Sequence, residues 1–319
     1  MRTSAKLSAY GAALALLIAG AYAVGTAVGP LTPAATGEAS GVGNAVQGDA
    51  HSGTVAETAD LPGGLASSRG GYTLAPTDPT LTPGTTEDFT FRIIGPDGAP
   101  VTEFDVEHDK RMHLIVVRRD TTGFQHVHPE MDADGTWRVP LNLPTGGSYR
   151  AFADFTPADG EGTTLGVDLA APGAFEPLTH EPTRTAIVDG YEVQLAGELT
   201  PGRASPLTLT VRKDGQPVTD LQPYLAAYGH LVALREGDLA YLHVHPEGSP
   251  GDGRTTAGPD IQFVAEVPSA GTYRLFLDFQ HGGVVRTAEF TVPTGPSVPD
   301  AAAVPPAAEG GHADDGHGH

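Results

Sequence analysis

The chain has 319 residues and a mass of 32.8 kDa, which is enough for two domains of ordinary size. Its 39 acidic and 18 basic residues give a formal net charge of −21, which disfavours nucleic acid and anionic lipid surfaces as partners. The absence of cysteine excludes disulfides, thiolate metal sites and cysteine nucleophiles, and the three methionines disfavour a thioether-rich Cu(I) site.

The first 29 residues predict a membrane-targeting segment. Arg2 and Lys6 precede an uncharged run from Leu7 to Gly29, which exceeds the roughly 20 residues needed to span a bilayer. The basic end would stay in the cytoplasm and the rest of the chain would cross the membrane. Because residues 21–23 also offer a small-x-small cleavage site, we predict either a single N-terminal anchor at the cell membrane or a cleaved signal peptide and a secreted protein. Both place the chain on the extracytoplasmic side.

Residues 30–71 and 294–319 have low complexity. The first segment is rich in Gly, Ala, Ser, Thr and Pro, and it has too few large apolar residues to bury, so we predict a disordered linker. The second is rich in Pro and Ala and ends in His312, His317 and His319. Such a flexible tract is typical of a metal-scavenging tail, but short His-rich tails also arise neutrally, and both interpretations remain open.

Residues 72–172 and 183–293 have the composition of β-strands. Short runs rich in Val, Ile, Leu, Thr, Phe and Tyr alternate with Gly, Pro and Asp, and neither stretch has sustained helical periodicity. About 100 residues with some seven strands are typical of an immunoglobulin-like domain. The sequence therefore predicts an all-β fold with two tandem immunoglobulin-like β-sandwiches. Asp189-Gly190 is expected to form a type I′ turn in the hairpin that opens the second.

Each predicted sandwich contains the same set of three histidines. The histidines of the second set follow those of the first by 117 positions, and each set ends in His-x-His-Pro-Glu. The two sets are His113, His126 and His128, and His230, His243 and His245. Because imidazole is the commonest protein ligand of transition metals, this duplication predicts metal binding.

The spacing predicts that the three histidines of each set converge. With hairpin turns at Asp120-Thr121 and Gly237-Asp238, the first histidine of a set lies opposite the third, with Cβ atoms about 5 Å apart, and the middle one shares their face. A slip of one residue would separate them. Pro129 or Pro246, which follows each set, is expected to end the strand and to place the histidines at the rim of the sandwich.

The remaining ligands are less sharply defined. Asp154 and Asp278 lie near the ends of equivalent strands and are predicted as fourth ligands, with Glu130, Glu247 or water as alternatives. Nitrogen and carboxylate ligands fit Cu(II), Zn(II) or Ni(II), of which Cu(II) is our first expectation and Zn(II) the second.

Three further histidines lack a counterpart in the other copy. We therefore interpret them as surface residues, with the third best placed to assist the second histidine set: His108, His180 and His281.

These motifs resemble a known class of bacterial proteins. The stretches 113–157 and 223–246 are similar to secreted or membrane-anchored proteins of the YtkA-like, immunoglobulin-like class, and the resemblance covers both sandwiches. It implies an extracytoplasmic β-sandwich that works beside copper and heavy-metal transport systems, which makes a membrane metal transporter an expected partner.

The sequence therefore predicts a membrane-tethered, extracytoplasmic protein that binds Cu(II) or Zn(II) as a buffer or chaperone. The alternative is a structural or protein-interaction module whose histidines form hydrogen bonds between strands. An enzyme is disfavoured, because the sequence has no nucleophile elbow, phosphate loop or His-Glu-x-x-His motif.

Overall fold

The computed structural model describes residues 62–158, 160–244 and 246–295, without the side chain of His243. Within these ranges the chain forms β-strands and no helix, so the described part contains no helix that could cross a membrane. The predicted membrane segment, most of the predicted linker and nearly all of the predicted tail lie outside these residues.

The first sandwich consists of two antiparallel sheets. Its strands are β1 (Ser68–Arg69), β2 (Tyr72–Pro76), β3 (Thr86–Ile94), β4 (His113–Arg118), β5 (Gln125–Val127), β6 (Glu130–Met131), β7 (Thr136–Asn142), β8 (Gly147–Phe155) and β9 (Thr163–Ala171). One sheet has the order β1-β2-β3-β7-β6, and the other has the order β5-β4-β8-β9.

The second sandwich repeats this arrangement. Its strands are β10 (Thr185–Val188), β11 (Tyr191–Ala196), β12 (Ser205–Lys213), β13 (Gln216–Pro217), β14 (His230–Arg235), β15 (Tyr241–Val244), β16 (Asp260–Ala265), β17 (Thr272–His281) and β18 (Val284–Pro293). One sheet has the order β10-β11-β12-β13, with β16 also paired to β12, and the other has the order β15-β14-β17-β18.

The predicted fold class is confirmed, because alternating side chains on the strands fill a separate core in each sandwich. On β3, for example, Phe89, Phe91 and Ile93 are buried, while the side chains between them are partly exposed. The predicted turn that opens the second sandwich is also confirmed. Asp189 and Gly190 both have positive φ, 48° and 79°, as a type I′ turn requires.

The two sandwiches pack against each other through their four-stranded sheets. All six residues of β4 are buried, which antiparallel strands with one solvated face do not show. Leu114 belongs to the core of its own sandwich, whereas Ile115 and Val117 belong to a third apolar cluster shared with Val232 and Leu234 of β14. The near-continuous apolar composition of these strands is therefore explained by burial on both faces.

Two aromatic pairs make this interface approximately two-fold symmetric. Phe124 of the first sandwich stacks on Phe276 of the second, with ring centroids 4.0 Å apart. Tyr241 of the second sandwich stacks on Phe152 of the first at 5.3 Å. Because Phe124 is equivalent to Tyr241 in the repeat, and Phe152 to Phe276, the two contacts are the same contact made in opposite directions.

Ordered structure begins before residue 72, the predicted start of the first sandwich. Gly63 pairs with Tyr241 of the second sandwich, and the Gly64 amide donates to the Thr164 carbonyl of the first at 3.0 Å. The Arg150 guanidinium donates to the carbonyl of Gly64 at 2.7 Å. This short segment is fixed because its backbone groups have partners on both sandwiches.

Candidate metal centre

The predicted register of both histidine hairpins is confirmed. Ile115 pairs with His126 on the first hairpin, and Val232 pairs with His243 on the second. The turns are longer than predicted, however. On the second hairpin Arg235 pairs with Ala240 around the loop 236–239, and the loop of the first hairpin contains Thr121 with a φ of 65°. The alternation of β-strands therefore brings the first set together irrespective of the exact turn.

His113, His126 and His128 form one compact cluster. One ring nitrogen of each lies within 4.8 Å of the others. The ring centroids are separated by 4.8 Å, 5.1 Å and 5.4 Å. Imidazoles that bind one ion through nitrogens 2.0–2.1 Å away have centroids about 4.5 Å apart in square-planar and about 5.2 Å apart in tetrahedral geometry. The separations of the ring centroids are therefore those of a candidate three-histidine metal centre.

Hydrogen bonds on the far side of two rings determine which nitrogens face the cluster. Nε2 of His113 donates to the backbone carbonyl of Glu107 at 3.2 Å, because a carbonyl can only accept. Nδ1 of His126 donates to the carboxylate of Asp278 at 2.8 Å. Outer partners of this kind are typical of metal-binding histidines, since they fix the tautomer and the ring orientation.

The two inner nitrogens then face each other. Nδ1 of His113 and Nε2 of His126 lie 3.1 Å apart, and in neutral rings with the outer bonds just described both carry lone pairs. Facing lone pairs repel unless a cation, either a proton or a metal ion, lies between them. The distance falls between the values of about 2.9 Å and about 3.3 Å expected for two nitrogens on a square-planar and on a tetrahedral ion.

His128 supplies a third inner nitrogen. Its Nε2 is buried and has no hydrogen-bond partner among the described residues. Burial, the largest cause, and the neighbouring His126, His113, Lys110 and His230 together lower the pKa of His128 to about 2. The ring is therefore neutral at physiological pH, which is the state that a metal ligand requires.

The cluster lies between the two sandwiches, which corrects the predicted location at a sandwich rim. His113 is 4% exposed, and the side chains of His126 and Asp278 are 3% and 5% exposed. The rim was expected because the following proline ends the strand, but the second sandwich covers this edge of the first. The buried pair of His126 and Asp278 joins residues of different sandwiches.

The two predicted aspartate ligands also bond across the interface. Asp278, expected to serve the second histidine set, contacts His126 of the first and accepts from Thr287 at 2.6 Å. Asp154 lies opposite His113 in the ladder between β4 and β8, and it accepts from Tyr241 of the second sandwich at 3.2 Å. Each carboxylate therefore acts in the structure as a link between sandwiches.

The second histidine set is described only in part. Nε2 of His230 donates to the carbonyl of Tyr224 at 2.9 Å, which repeats the bond between His113 and Glu107. His243 lies on β15 without a described side chain, and His245 lies outside the described residues. The tail histidines also lie outside them: His312, His317 and His319.

Other predicted residues lie elsewhere. Glu130 and Glu247, the alternative ligands, are exposed. His180 bonds to the Asp120 carbonyl at 3.0 Å. His281, expected near the second histidine set, instead bonds to the Tyr191 hydroxyl at 2.6 Å and pairs with an exposed aspartate. The alternation of β17 places it on the face of Phe279, which packs in the sandwich core, and not on the interface face of Phe276.

Sequence reasoning missed the turn that precedes each first histidine. Residues 107–110 and 224–227 form equivalent two-residue turns, each closed by reciprocal backbone bonds and each with positive φ at both central residues. These turns hold the carbonyls of Glu107 and Tyr224 against the histidines. Both carbonyls lie six residues before a histidine, a constant spacing that could have indicated the motif.

A surface groove of about 540 Å³ reaches the edge of the centre. It is lined in part by Glu107, Asp154 and Glu161, together with Arg69. Asp154 on its wall is the ladder partner of His113. The groove therefore adjoins two residues that neighbour His113, namely Glu107, whose carbonyl accepts its hydrogen bond, and Asp154.

Comparisons with known proteins bear on the fold and the family. No curated protein matches the chain. Among solved structures the chain is similar to the Escherichia coli adhesin FdeC, with 14% identity over 72% of this chain and 65% of that chain and a TM-score of 0.23. It is also similar to invasin, a bacterial integrin-binding protein, with 15% identity over 69% of this chain and 39% of that chain and a TM-score of 0.21. A third similar structure is Escherichia coli alpha-2-macroglobulin, with 15% identity over 70% of this chain and 20% of that chain and a TM-score of 0.23. This chain thus spans less than two thirds of the length of each, and the low scores support no functional argument.

A family model described as a domain of unknown function, DUF8832, matches residues 67–173 and again residues 186–295. The two matches fall on the two sandwiches and together cover more than half of the chain. The chain therefore belongs to the DUF8832 family and contains two copies of its domain.

Proposed function

We propose that the protein binds a transition-metal ion, Cu(II) or Zn(II), at the interface of its two sandwiches and serves as an extracytoplasmic metal buffer or chaperone. The observation that carries this proposal is the convergence of three buried imidazole nitrogens, two of them with tautomers set by outer hydrogen bonds. A protein without a ligand at this position would have to keep lone pairs in contact or hold a buried proton there.

The ligand chemistry favours a borderline cation. The three inner ligands are neutral nitrogens, which suit Cu(II) and Zn(II) better than the hard cations Ca²⁺ and Mg²⁺. The distance of 3.1 Å between Nδ1 of His113 and Nε2 of His126 fits both square-planar and tetrahedral ions, so it does not distinguish Cu(II) from Zn(II). Asp278, bonded to His126, and Asp154, the ladder partner of His113, would place negative charge near the ion, and the groove at Asp154 would give a cation a route from solvent.

The location is proposed from the N-terminal sequence. An uncharged run behind Arg2 and Lys6 would tether the sandwiches outside the cytoplasm. There a buffer or chaperone would exchange its ion with a membrane metal transporter, the partner that the resemblance to YtkA-like proteins suggests. We propose no catalytic role.

A metal titration tests the proposal. The full-length protein, stripped of metal with a chelator, is titrated with Zn(II) and Cu(II) in a calorimeter, and the same titration is made on the variant His128→Ala. Because Nε2 of His128 has no hydrogen-bond partner among the described residues, the variant should lose affinity with little loss of stability. The matched control is His281→Ala, which removes a histidine outside the cluster.

The natural protein, His128→Ala and His281→Ala all contain the same tail histidines, so any metal binding by the tail is equal in the three titrations. We expect weaker binding in His128→Ala and unchanged binding in His281→Ala. Equal titration curves for His128→Ala and the natural sequence would reject the cluster as the binding site.

The bond between His126 and Asp278 supports a second candidate, a structural module in which imidazoles join the two sandwiches. In that case His126→Ala would lower the free energy of unfolding in the absence of metal, and added Zn(II) would stabilise neither protein. A rise in the midpoint of thermal unfolding with Zn(II) in the natural sequence alone would favour the metal site instead.

A further inference from the structure

Among the described residues, His108 is the one histidine of the interface that has no histidine at the equivalent position of the other copy. It occupies the first central position of the turn 107–110, with φ of 46°, and Asp109 follows with φ of 61°. The equivalent residue in the second copy is Leu225, also at positive φ. The same backbone turn is therefore built twice, and only the first copy carries an imidazole there.

The turn delivers this imidazole to the boundary between the sandwiches. The His108 ring lies 6.2 Å from the His113 ring of the first sandwich and 5.2 Å from the His230 ring of the second, measured between centroids. The turn itself is anchored to the three-histidine centre, because Glu107 accepts the hydrogen bond from His113.

The separation of His108 and His230 is that of two imidazoles on one ion. It equals the value of about 5.2 Å expected for two rings that share a tetrahedral cation, and it lies within the range of 4.8–5.4 Å found in the three-histidine centre. Nε2 of His230 is engaged by the Tyr224 carbonyl, so in a neutral ring its Nδ1 carries the lone pair.

The carboxylate of Asp278 lies close to both histidine groups, where its negative charge would reduce the repulsion between two bound cations. Asp278 is directly opposite His230 in the ladder between β14 and β17, and its side chain bonds to His126 of the three-histidine centre. Its negative charge therefore adjoins both positions and reduces the repulsion between two bound ions.

We propose that His108 and His230 form a second cation position that adjoins the three-histidine centre and joins the two sandwiches. This proposal rests on the proposed function. The ion is of the same class, Cu(II) or Zn(II), with water completing its shell. Because the described residues offer it fewer histidines than the first centre has, we expect this position to fill second and to exchange faster, which suits a protein that passes its ion to a partner.

The variant His108→Leu tests this second position. It gives the turn the residue that the second copy already carries at the equivalent place, so the fold is expected to tolerate it. The full-length natural protein, His108→Leu and the control His180→Leu are titrated with Zn(II), and bound metal is counted after removal of the free ion. We expect His108→Leu to bind one equivalent less than the other two proteins.

A second measurement uses the natural sequence alone and does not depend on the variant folding. Ring-nitrogen NMR shifts are followed during the Zn(II) titration. The shifts of His113, His126 and His128 should change with the first equivalent, and those of His108 and His230 with a later one.

The outcomes separate the two proposals. Equal stoichiometry in His108→Leu and the natural protein, or ring shifts of His108 and His230 that ignore Zn(II), would overturn the second position and show the pair to be an edge-to-face ring contact. Ring shifts of His113, His126 and His128 that also ignore Zn(II) would overturn the proposed function itself.

Discussion

Replacement of Asp278 by asparagine should weaken metal binding at a centre whose histidines lie on the other sandwich. The carboxylate accepts a hydrogen bond from Nδ1 of His126 at 2.8 Å, and both side chains are almost fully buried. Asparagine has nearly the same shape and keeps an oxygen acceptor, but it removes the negative charge. The substitution therefore tests the electrostatic contribution of the second sandwich.

The expected magnitude follows from the geometry. An ion 2.0–2.1 Å from Nε2 of His126 would lie about 7 Å from the Asp278 carboxylate, across the imidazole ring. At an effective dielectric constant of about 20, a divalent cation and a single negative charge at this distance attract each other by about 5 kcal/mol. Part of that attraction is offset because the same carboxylate already stabilises His126 without metal. We therefore expect the 10–100-fold loss typical of outer partners, about 1.4–2.7 kcal/mol.

The assay is a competition titration of Zn(II) against a chromophoric chelator, with full-length natural protein, Asp278→Asn and the control Asp220→Asn. Asp220 also pairs with a histidine of the second sandwich, His281, and its side chain is 82% exposed. We expect the control to bind as the natural protein does. Equal affinity in Asp278→Asn and Asp220→Asn would refute the argument that the second sandwich helps to hold the ion.

Two further predictions concern stability, measured by urea unfolding of metal-free protein. The Arg118 guanidinium and the hydrogen bonds around Asp120 hold the pKa of that carboxyl well below its usual range. The carboxylate therefore contributes to the free energy of unfolding above pH 4, and this contribution is lost as the pH falls below 4. Asp120→Asn should lower the free energy of unfolding at pH 7 and reduce its dependence on acid pH. Phe276→Ala should lower the free energy of unfolding by about 3–5 kcal/mol, because the ring is fully buried against Phe124. Phe175 is partly exposed, so Phe175→Ala should lower it far less. Equal losses in the two variants would contradict the interface packing.

Local patterns in the sequence were sufficient to predict the fold and the first histidine cluster. The two-residue period of a strand places His126 and His128 on one face, and the hairpin register brings His113 to them whatever the turn length. The type I′ turn at Asp189-Gly190 follows in the same way from the φ that its residues tolerate.

The position of the cluster between sandwiches could not be predicted in this way. It depends on which faces of two separate domains pack together, and no short-range pattern encodes that. One signal was present, because β4 and β14 are apolar at almost every position, which indicates burial on both faces. Asp278 was recognised as a candidate ligand, but its contact with His126 required the packing of β17 against the other sandwich.

The symmetric packing makes each of the two domains cover an apolar surface of the other. A single sandwich would expose Ile115, Val117 and Phe152 as an apolar patch, and it would lack the bond between Asp278 and His126. The second copy covers that patch with its own equivalent surface and brings Asp278 to His126. Because the contact is reciprocal, each copy completes the other, so the sandwich interface and the proposed metal centre depend on the same packing. Separation of the two domains should therefore weaken zinc binding by at least as much as Asp278→Asn does, even though all three histidines of the proposed centre belong to one domain.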